Sequence, residues 1–173
     1  MPSKVENFKK YPNEIFIETG SFVGDGIQQA INAGFNKIIS IELSDKYYEI
    51  SKSRFSSNPN VTIIKGDSFK VLSEILINLN SRITFWLDGH HSCGDTALGE
   101  FWAPLIQELE VIRGHHIDTH TIMIDDMRCW ELPNEVHGFY KKDIFDILKE
   151  INSDYKFTYE HGSQENDILV AHI

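Results

Sequence analysis

Apolar residues along this chain gather in short, nearly continuous runs: EIFIE (14–18), KIISIE (37–42), VTIIK (61–65), ITFWLD (83–88) and TIMIDD (121–126). Each is rich in β-branched or aromatic residues and lacks clean alternation, the pattern of strands buried on both faces of a parallel sheet. Between the runs the apolar spacing changes to three and four residues. GDGIQQAINAGF, SDKYYEISKSRF, SFKVLSEILINL and ALGEFWAPLIQELEVI read as helices, with Ser44 and Asp45 as N-cap residues for the second. By the same reading Phe101 and Trp102 are core-facing helix residues, and Asp95 or Thr96 starts their helix. A longer irregular piece follows TIMIDD, then the helix-like KKDIFDILKEI. Two final strand-like runs, YKFTYEHG and NDILVAHI, are joined only by SQE, too short for a crossover helix, so they pair antiparallel.

This order predicts one domain over 1–173 of the α/β class: a doubly wound, mostly parallel seven-stranded sheet with an antiparallel last strand. Ligands of such sheets bind beyond the carboxyl ends of the strands. The first five of those ends carry Glu18, Glu42, Asp67, Asp88 and the pair Asp125 and Asp126, an acid at each. In the first loop, ETGSFVGDG, Gly20, Gly24 and Gly26 let backbone come close to a ligand. The loop is neither G-x-G-x-x-G nor a Walker loop, which weakens dinucleotide and triphosphate readings. Glu42, about 20 residues further on at the end of the second strand, is placed to accept both hydroxyls of a ribose. Asp67, in KGDSF, stands where an adenine amino group is read, although GDS is also a common turn and helix cap.

The ETGSFVGDG loop, the acid in SIELS, the GDS after the third strand and the antiparallel final pair together resemble a class I S-adenosylmethionine (SAM)-dependent methyltransferase. The resemblance spans essentially the whole chain. It implies a Rossmann-like fold and SAM as cofactor, with Glu18, Gly20, Ser21, Gly24 and Gly26 on the methionine side, Glu42 at the ribose, and Asp67 with Ser68 near the adenine. The third loop glycine departs from the commoner E/D-x-G-x-G-x-G arrangement.

Asp88 ends the fourth strand and Asp125 and Asp126 end the fifth, so three carboxylates are expected at one rim, where Mg²⁺ or a similar ion would relieve their repulsion. The D-x-x-H of LDGHH and the paired acids of IDDM are similar to those of metal-dependent sugar O-methyltransferases acting on macrolide deoxysugars. That likeness implies Asp88, Asp125 and Asp126 as metal ligands and His91 as the base, with His90 the competing histidine. Coordination lowers the pKa of a sugar hydroxyl, and an imidazole near neutral pKa removes its proton. In MRCWELPNEVHGFY, Arg128, Trp130, His137, Phe139 and Tyr140 are candidate acceptor contacts, with packing over the last helix as the equal alternative. Cys93 lacks a base arrangement for a nucleophile, and His115, His116 and His120 in GHHIDTHT lie at the edge opposite the strand ends, which makes them poor zinc ligands.

Composition narrows the partners. A formal net charge of −10 argues against nucleic acid held on a broad basic face. No apolar run approaches the roughly 20 residues of a membrane helix, and two cysteines are too few for a disulfide framework, so a soluble, cytoplasmic protein is expected. Only MPSKVENFKKYPN precedes the first strand, which on the resemblance leaves the acceptor site open or completed by a second subunit, as in a homodimer. The sequence thus reads as a SAM-dependent O-methyltransferase for a sugar hydroxyl. A small phenolic or nitrogen acceptor, a nicotinamide-dependent sugar oxidoreductase and a silent nucleotide-binding module are the alternatives.

Overall fold

The computed structural model describes residues 4–92, 96–130 and 137–173. Seven strands form one sheet: β1 (Ile15–Thr19), β2 (Ile38–Glu42), β3 (Val61–Lys65), β4 (Ile83–Leu87), β5 (Thr121–Ile124), β6 (Lys156–Glu160) and β7 (Ile168–His172). Their order is β3-β2-β1-β4-β5-β7-β6, with β1 to β5 parallel and β7 antiparallel to both β5 and β6. The expected doubly wound sheet and its antiparallel end are therefore present. β1, β2, β4 and β5 are buried on both faces, as their continuous apolar runs require. VTIIK was expected to be equally buried, but β3 is an edge strand and only half-buried.

Alternate side chains of each central strand feed two cores. Ile15, Ile17, Phe85 and Ile122 face one side, where α4 (Ser68–Leu76), α5 (Leu105–Arg113) and α6 (Lys141–Ile151) lay down Leu72, Leu109 and Leu148. Phe16, Trp86, Met123 and Val170 face the other, beneath α1 (Val5–Lys10), α2 (Asp25–Ala33) and the end of α3 (Asp45–Arg54). The sequence pattern did not foretell α1, a short helix anchored by Phe8, whose ring lies 4.9 Å from that of Phe16. At about 25 cal/mol per Å² of apolar surface removed from water, two such cores dominate the stability of the fold.

One helix begins later than its spacing suggests. ALGEFWAP is not helical, and α5 starts only at Leu105 after Pro104. Proline disfavours the helical conformation in the residue before it, so Ala103 lies outside the helix, which does not run back towards Ala97. Phe101 and Trp102 are consequently not helix residues, and Thr96 lies in a bend. The freed segment folds over the strand ends instead. No helix among the described residues is long and apolar enough to cross a membrane.

Candidate functional site

The sheet reverses its winding between β1 and β4, and the crevice beyond their carboxyl ends is the place where open α/β sheets bind ligands. Gly20, with φ of 85°, turns the chain tightly there: a Cβ on it would come within 2.6 Å of the Asp88 carbonyl oxygen. The first loop thus presses its backbone against the loop after β4. Phe22 also takes a left-handed conformation, φ 47°, and donates its amide to Glu42 Oε2 at 2.8 Å. The Ser44 amide holds Glu42 Oε1 at 2.7 Å. Two backbone donors therefore fix the Glu42 carboxylate at the edge of the crevice, each leaving a lone pair for a ligand.

Beneath this surface lies a buried acid. Glu18 Oε2 accepts a bond from Ser40 Oγ at 2.5 Å, and Ser40 Oγ lies 2.6 Å from Ser21 Oγ. Burial pushes the Glu18 carboxyl up to about 8, against the opposing Ser40 bond and with help from the negative charge of Glu42. A Cβ on Gly26 would fall 1.8 Å from Glu18 Oε1, so only glycine lets α2 start over this carboxyl. Gly24 packs against the Phe55 ring. Glu18, Ser21, Gly24 and Gly26 form the foundation of the first loop, whereas Gly20, Glu42, Asp67 and Ser68 line the cleft itself.

The cleft holds about 490 Å³, within the range of small-molecule sites. The Phe22 and Tyr47 rings meet on one wall with centroids 4.2 Å apart and planes tilted by 40°, and neither was singled out from the sequence. Asp67 occupies the N-cap position of α4 without making a side-chain cap bond; it lines the cleft, with Oδ2 3.8 Å from Lys70 Nζ. Ser68 has a different partner: it bonds Glu108 Oε1, a buried carboxyl also held by the Thr19 hydroxyl and pushed up to about 7 by burial. Helical spacing alone could have placed Glu108 on α5, but nothing in the sequence gave it a partner.

The opposite wall is the rim of acids and histidines. His90 Nε2 lies 3.2 Å from Asp126 Oδ2, and His90 Nδ1 lies 3.6 Å from Asp88 Oδ1. Asp126 adopts a left-handed φ of 58°, which turns its carboxylate towards both His90 and Arg128. Arg128 Nη1 meets Asp126 Oδ1 at 2.6 Å and also pairs with Asp167, a fully buried acid from the loop between β6 and β7 that sequence reading missed. Among the described residues, two sets offer ligand atoms all within 4.8 Å of one another: Asp88, His90 and Asp126, and Asp125, Asp126 and Asp167. Asp88 and Asp125 thus fall in different groups that share Asp126. Burial first, then the neighbouring Asp125 and Asp126 charges, hold the Asp88 carboxyl well above the usual range. Burial and Asp126 push Asp125 up to about 7, and burial holds His90 below the ordinary imidazole value.

His91 lines the cleft with its Nδ1 3.2 Å from the Ala97 carbonyl and 3.1 Å from Thr96 Oγ1. A carbonyl only accepts, so this contact assigns the proton to Nδ1 and leaves Nε2 as a free base. The backbone amide of His91 bonds the Trp102 carbonyl at 2.8 Å, which ties the histidine to the non-helical segment. Trp102 lines the cleft, backed by His137 with ring centroids 4.5 Å apart, and His137 rests on Trp130 at 4.8 Å. Trp130 is buried and donates its indole N–H to the Asp125 carbonyl, while Tyr140, 58% exposed at the start of α6, is not part of the cleft wall. Cys93 and Asp95 lie outside the described residues.

At the far edge, His120 Nδ1 accepts the Ile83 amide, its Nε2 lies 2.9 Å from His115 Nδ1, and His115 Nε2 lies 2.9 Å from the Leu79 carbonyl. Every ring nitrogen of this pair is committed, so neither offers a lone pair to zinc.

The sheet order, with β7 antiparallel between β5 and β6, defines the Rossmann-like methyltransferase fold. An O-methyltransferase from Bacillus cereus in complex with SAH matches with a TM-score of 0.69 at 13% identity, over 98% of this chain and 78% of that one. TomG from Streptomyces achromogenes, involved in tomaymycin synthesis and solved with SAM, matches at 0.63 and 10% identity, over 98% and 77%. The SAH-bound methyltransferase PaMTH1 from Podospora anserina matches at 0.63 and 10% identity, over 97% and 75%. No sequence profile of a known family matches the chain, nor does any curated protein.

Proposed function

We propose that this protein is a SAM-dependent O-methyltransferase acting on a sugar hydroxyl, on a glycan or a deoxysugar such as rhamnose, assisted by a divalent cation and a histidine base. The observation that carries the reading is one cleft, at the switch point of a methyltransferase fold, in which the fixed Glu42 carboxylate and the rim of Asp88, Asp126, His90 and His91 face the same space. Its volume suits a nucleoside-sized ligand together with an acceptor.

SAM, when bound, supplies a methyl group on a cationic sulfur. Glu42 would hold its ribose, Asp67 would lie on the adenine side, and Gly20 would let the backbone approach its methionine end. Asp88 and Asp126 offer the hard carboxylate oxygens that Mg²⁺ or Mn²⁺ takes, with the His90 imidazole beside them, and such an ion makes a hydroxyl next to it easier to deprotonate. His91 removes the acceptor proton at Nε2 while Nδ1 stays anchored on Ala97. Trp102 gives the acceptor an apolar face, held in place by His137 and Trp130. A nicotinamide-dependent oxidoreductase fits less well, because the six-stranded dinucleotide sheet has no antiparallel strand between its last two strands.

Calorimetric titration with SAM and with nicotinamide cofactors, each with and without Mg²⁺, tests the class. Tight SAM binding supports the reading, and a panel of sugar, phenolic and amine acceptors with labelled SAM then assigns the acceptor. Binding of the nicotinamide cofactor alone overturns it.

A further inference from the structure

Asp125 is the least satisfied polar side chain of the rim. It is 1% exposed, and neither carboxylate oxygen meets a side-chain donor among the described residues, only the adjacent Asp126 amide lying close. A buried carboxylate without a partner costs several kcal/mol, and protonation only exchanges a bare charge for an unpaired hydroxyl. Its ligand oxygen lies within 4.8 Å of those of Asp126 and Asp167, both also buried. Opposite oxygens on one ion are separated by about 4.2 Å for Mg²⁺ and about 4.6–5.2 Å for Ca²⁺, so the three carboxylates are spaced for a single hard cation. Three carboxylates, Asp126 shared with the Asp88 and His90 group, stand against the one Arg128 guanidinium and leave the cluster net negative. The space beside Asp125 is kept clear by Gly162, where a Cβ would stand 3.4 Å from Asp125 Oδ1.

We infer that Asp125, Asp126 and Asp167 form a second divalent-cation site, bridged through the Asp126 carboxylate to the Asp88 and His90 group and counterbalanced by Arg128. The two oxygens of Asp126 already face opposite ways, Oδ2 to His90 and Oδ1 to Arg128. An ion there ties the end of β5, the turn at Met127–Trp130 and the loop before β7 into one rim, which makes it a structural cation rather than part of the reaction. The inference stands without methyl transfer, since its readout is ion binding and not activity.

The test is uptake of Mg²⁺, Mn²⁺ and Ca²⁺ by protein stripped with chelator, measured by equilibrium dialysis beside thermal unfolding, for wild type, Asp125→Asn, Asp167→Asn and Asp88→Asn. Wild type is expected to take up two ions. Asp125→Asn and Asp167→Asn each lose one, binding it at least tenfold more weakly, and lose the cation-dependent rise in Tm, whereas Asp88→Asn keeps that rise. Asp125→Asn removes no side-chain partner among the described residues, and its carbonyl can still accept the Asp126 amide, so it folds and, in chelator, melts above wild type. The inference is overturned if wild type takes up no ion, if Asp88→Asn abolishes all uptake, or if Asp125→Asn retains the cation-dependent rise. SAM titration of the same samples shows separately whether the methyltransferase reading stands.

Discussion

Two groups of histidines sit at opposite ends of the sheet, and they differ in what remains unsatisfied. At the amino-terminal edge, His120 and His115 form a closed relay from the Ile83 amide to the Leu79 carbonyl. At the carboxyl edge, His91 has one nitrogen anchored on Ala97 and the other unassigned, and His90 stands between the carboxylates of Asp88, held well above its ordinary range, and Asp126. Identical side chains are therefore structural at one end and chemically available at the other. What separates them is whether the protein itself completes their hydrogen bonding.

The contrast is broken most directly at His91. Replacing His91 with Ala is expected to lower the methyl-transfer kcat by about 10²- to 10⁴-fold, the usual contribution of a positioned base. SAM affinity should stay within about twofold by calorimetry, because the residue acts on the acceptor. A pH profile that keeps its wild-type shape in the variant would remove His91 from the role of base.

The matching change at the other end acts on stability. His120→Ala opens a cavity under Phe85 and strands the Ile83 amide, for an expected loss of about 2–4 kcal/mol in denaturant unfolding. Wild type also carries a pH signature from this site. Burial lowers His120 to about 3 from 6.5, so the unfolded chain binds a proton that the folded one refuses, and stability falls as pH drops below 6.5 by about 1 kcal/mol per unit. The variant should lose that acid limb. SAM binding by its folded fraction should be unchanged.

The parallel run of the sheet, its antiparallel end and the acids at the ends of the first five strands were legible because each depends on local pattern. KKDIFDILKEI carried its helix boundaries openly, and α6 matches them. Other features depend on what the chain meets elsewhere. ALGEFWAP has helical spacing, and only Pro104 signalled that the segment is an irregular cover presenting Trp102 to the cleft. Asp167 read as the start of a strand, and its pairing with Arg128 spans 39 positions, beyond the reach of any spacing rule. The grouping of Asp125 with Asp167 rather than with Asp88 follows from where the β6–β7 loop lands, which no strand pattern encodes.

A smaller effect is expected at Glu42. Glu42→Gln keeps the size of the side chain but loses the charge that strengthens a hydrogen bond to a ribose, and its amide nitrogen cannot accept one of the two backbone N–H groups, so SAM should bind at least about tenfold more weakly, corresponding to about 1.4 kcal/mol. Affinity equal to wild type would move the ribose elsewhere in the cleft.

Glu18 closes the comparison, because its titration runs opposite to that of His120. Burial raises its carboxyl to about 8 from 4.5, so the folded protein holds a proton that the unfolded chain releases. The stability this provides is complete below about pH 4.5 and is lost progressively as pH climbs towards 8. Glu18→Gln mimics the protonated form, and its carbonyl still accepts the Ser40 hydroxyl, so at pH 4.5 the variant should lie within about 1 kcal/mol of wild type. At pH 8 the variant should be the more stable of the two, its alkaline decline removed. Thermal unfolding of both proteins at pH 4.5, 6 and 8 without ligand measures the gap. A gap that does not change with pH would mean that Glu18 is already ionised in the folded protein, with a charge partner that the first loop does not supply.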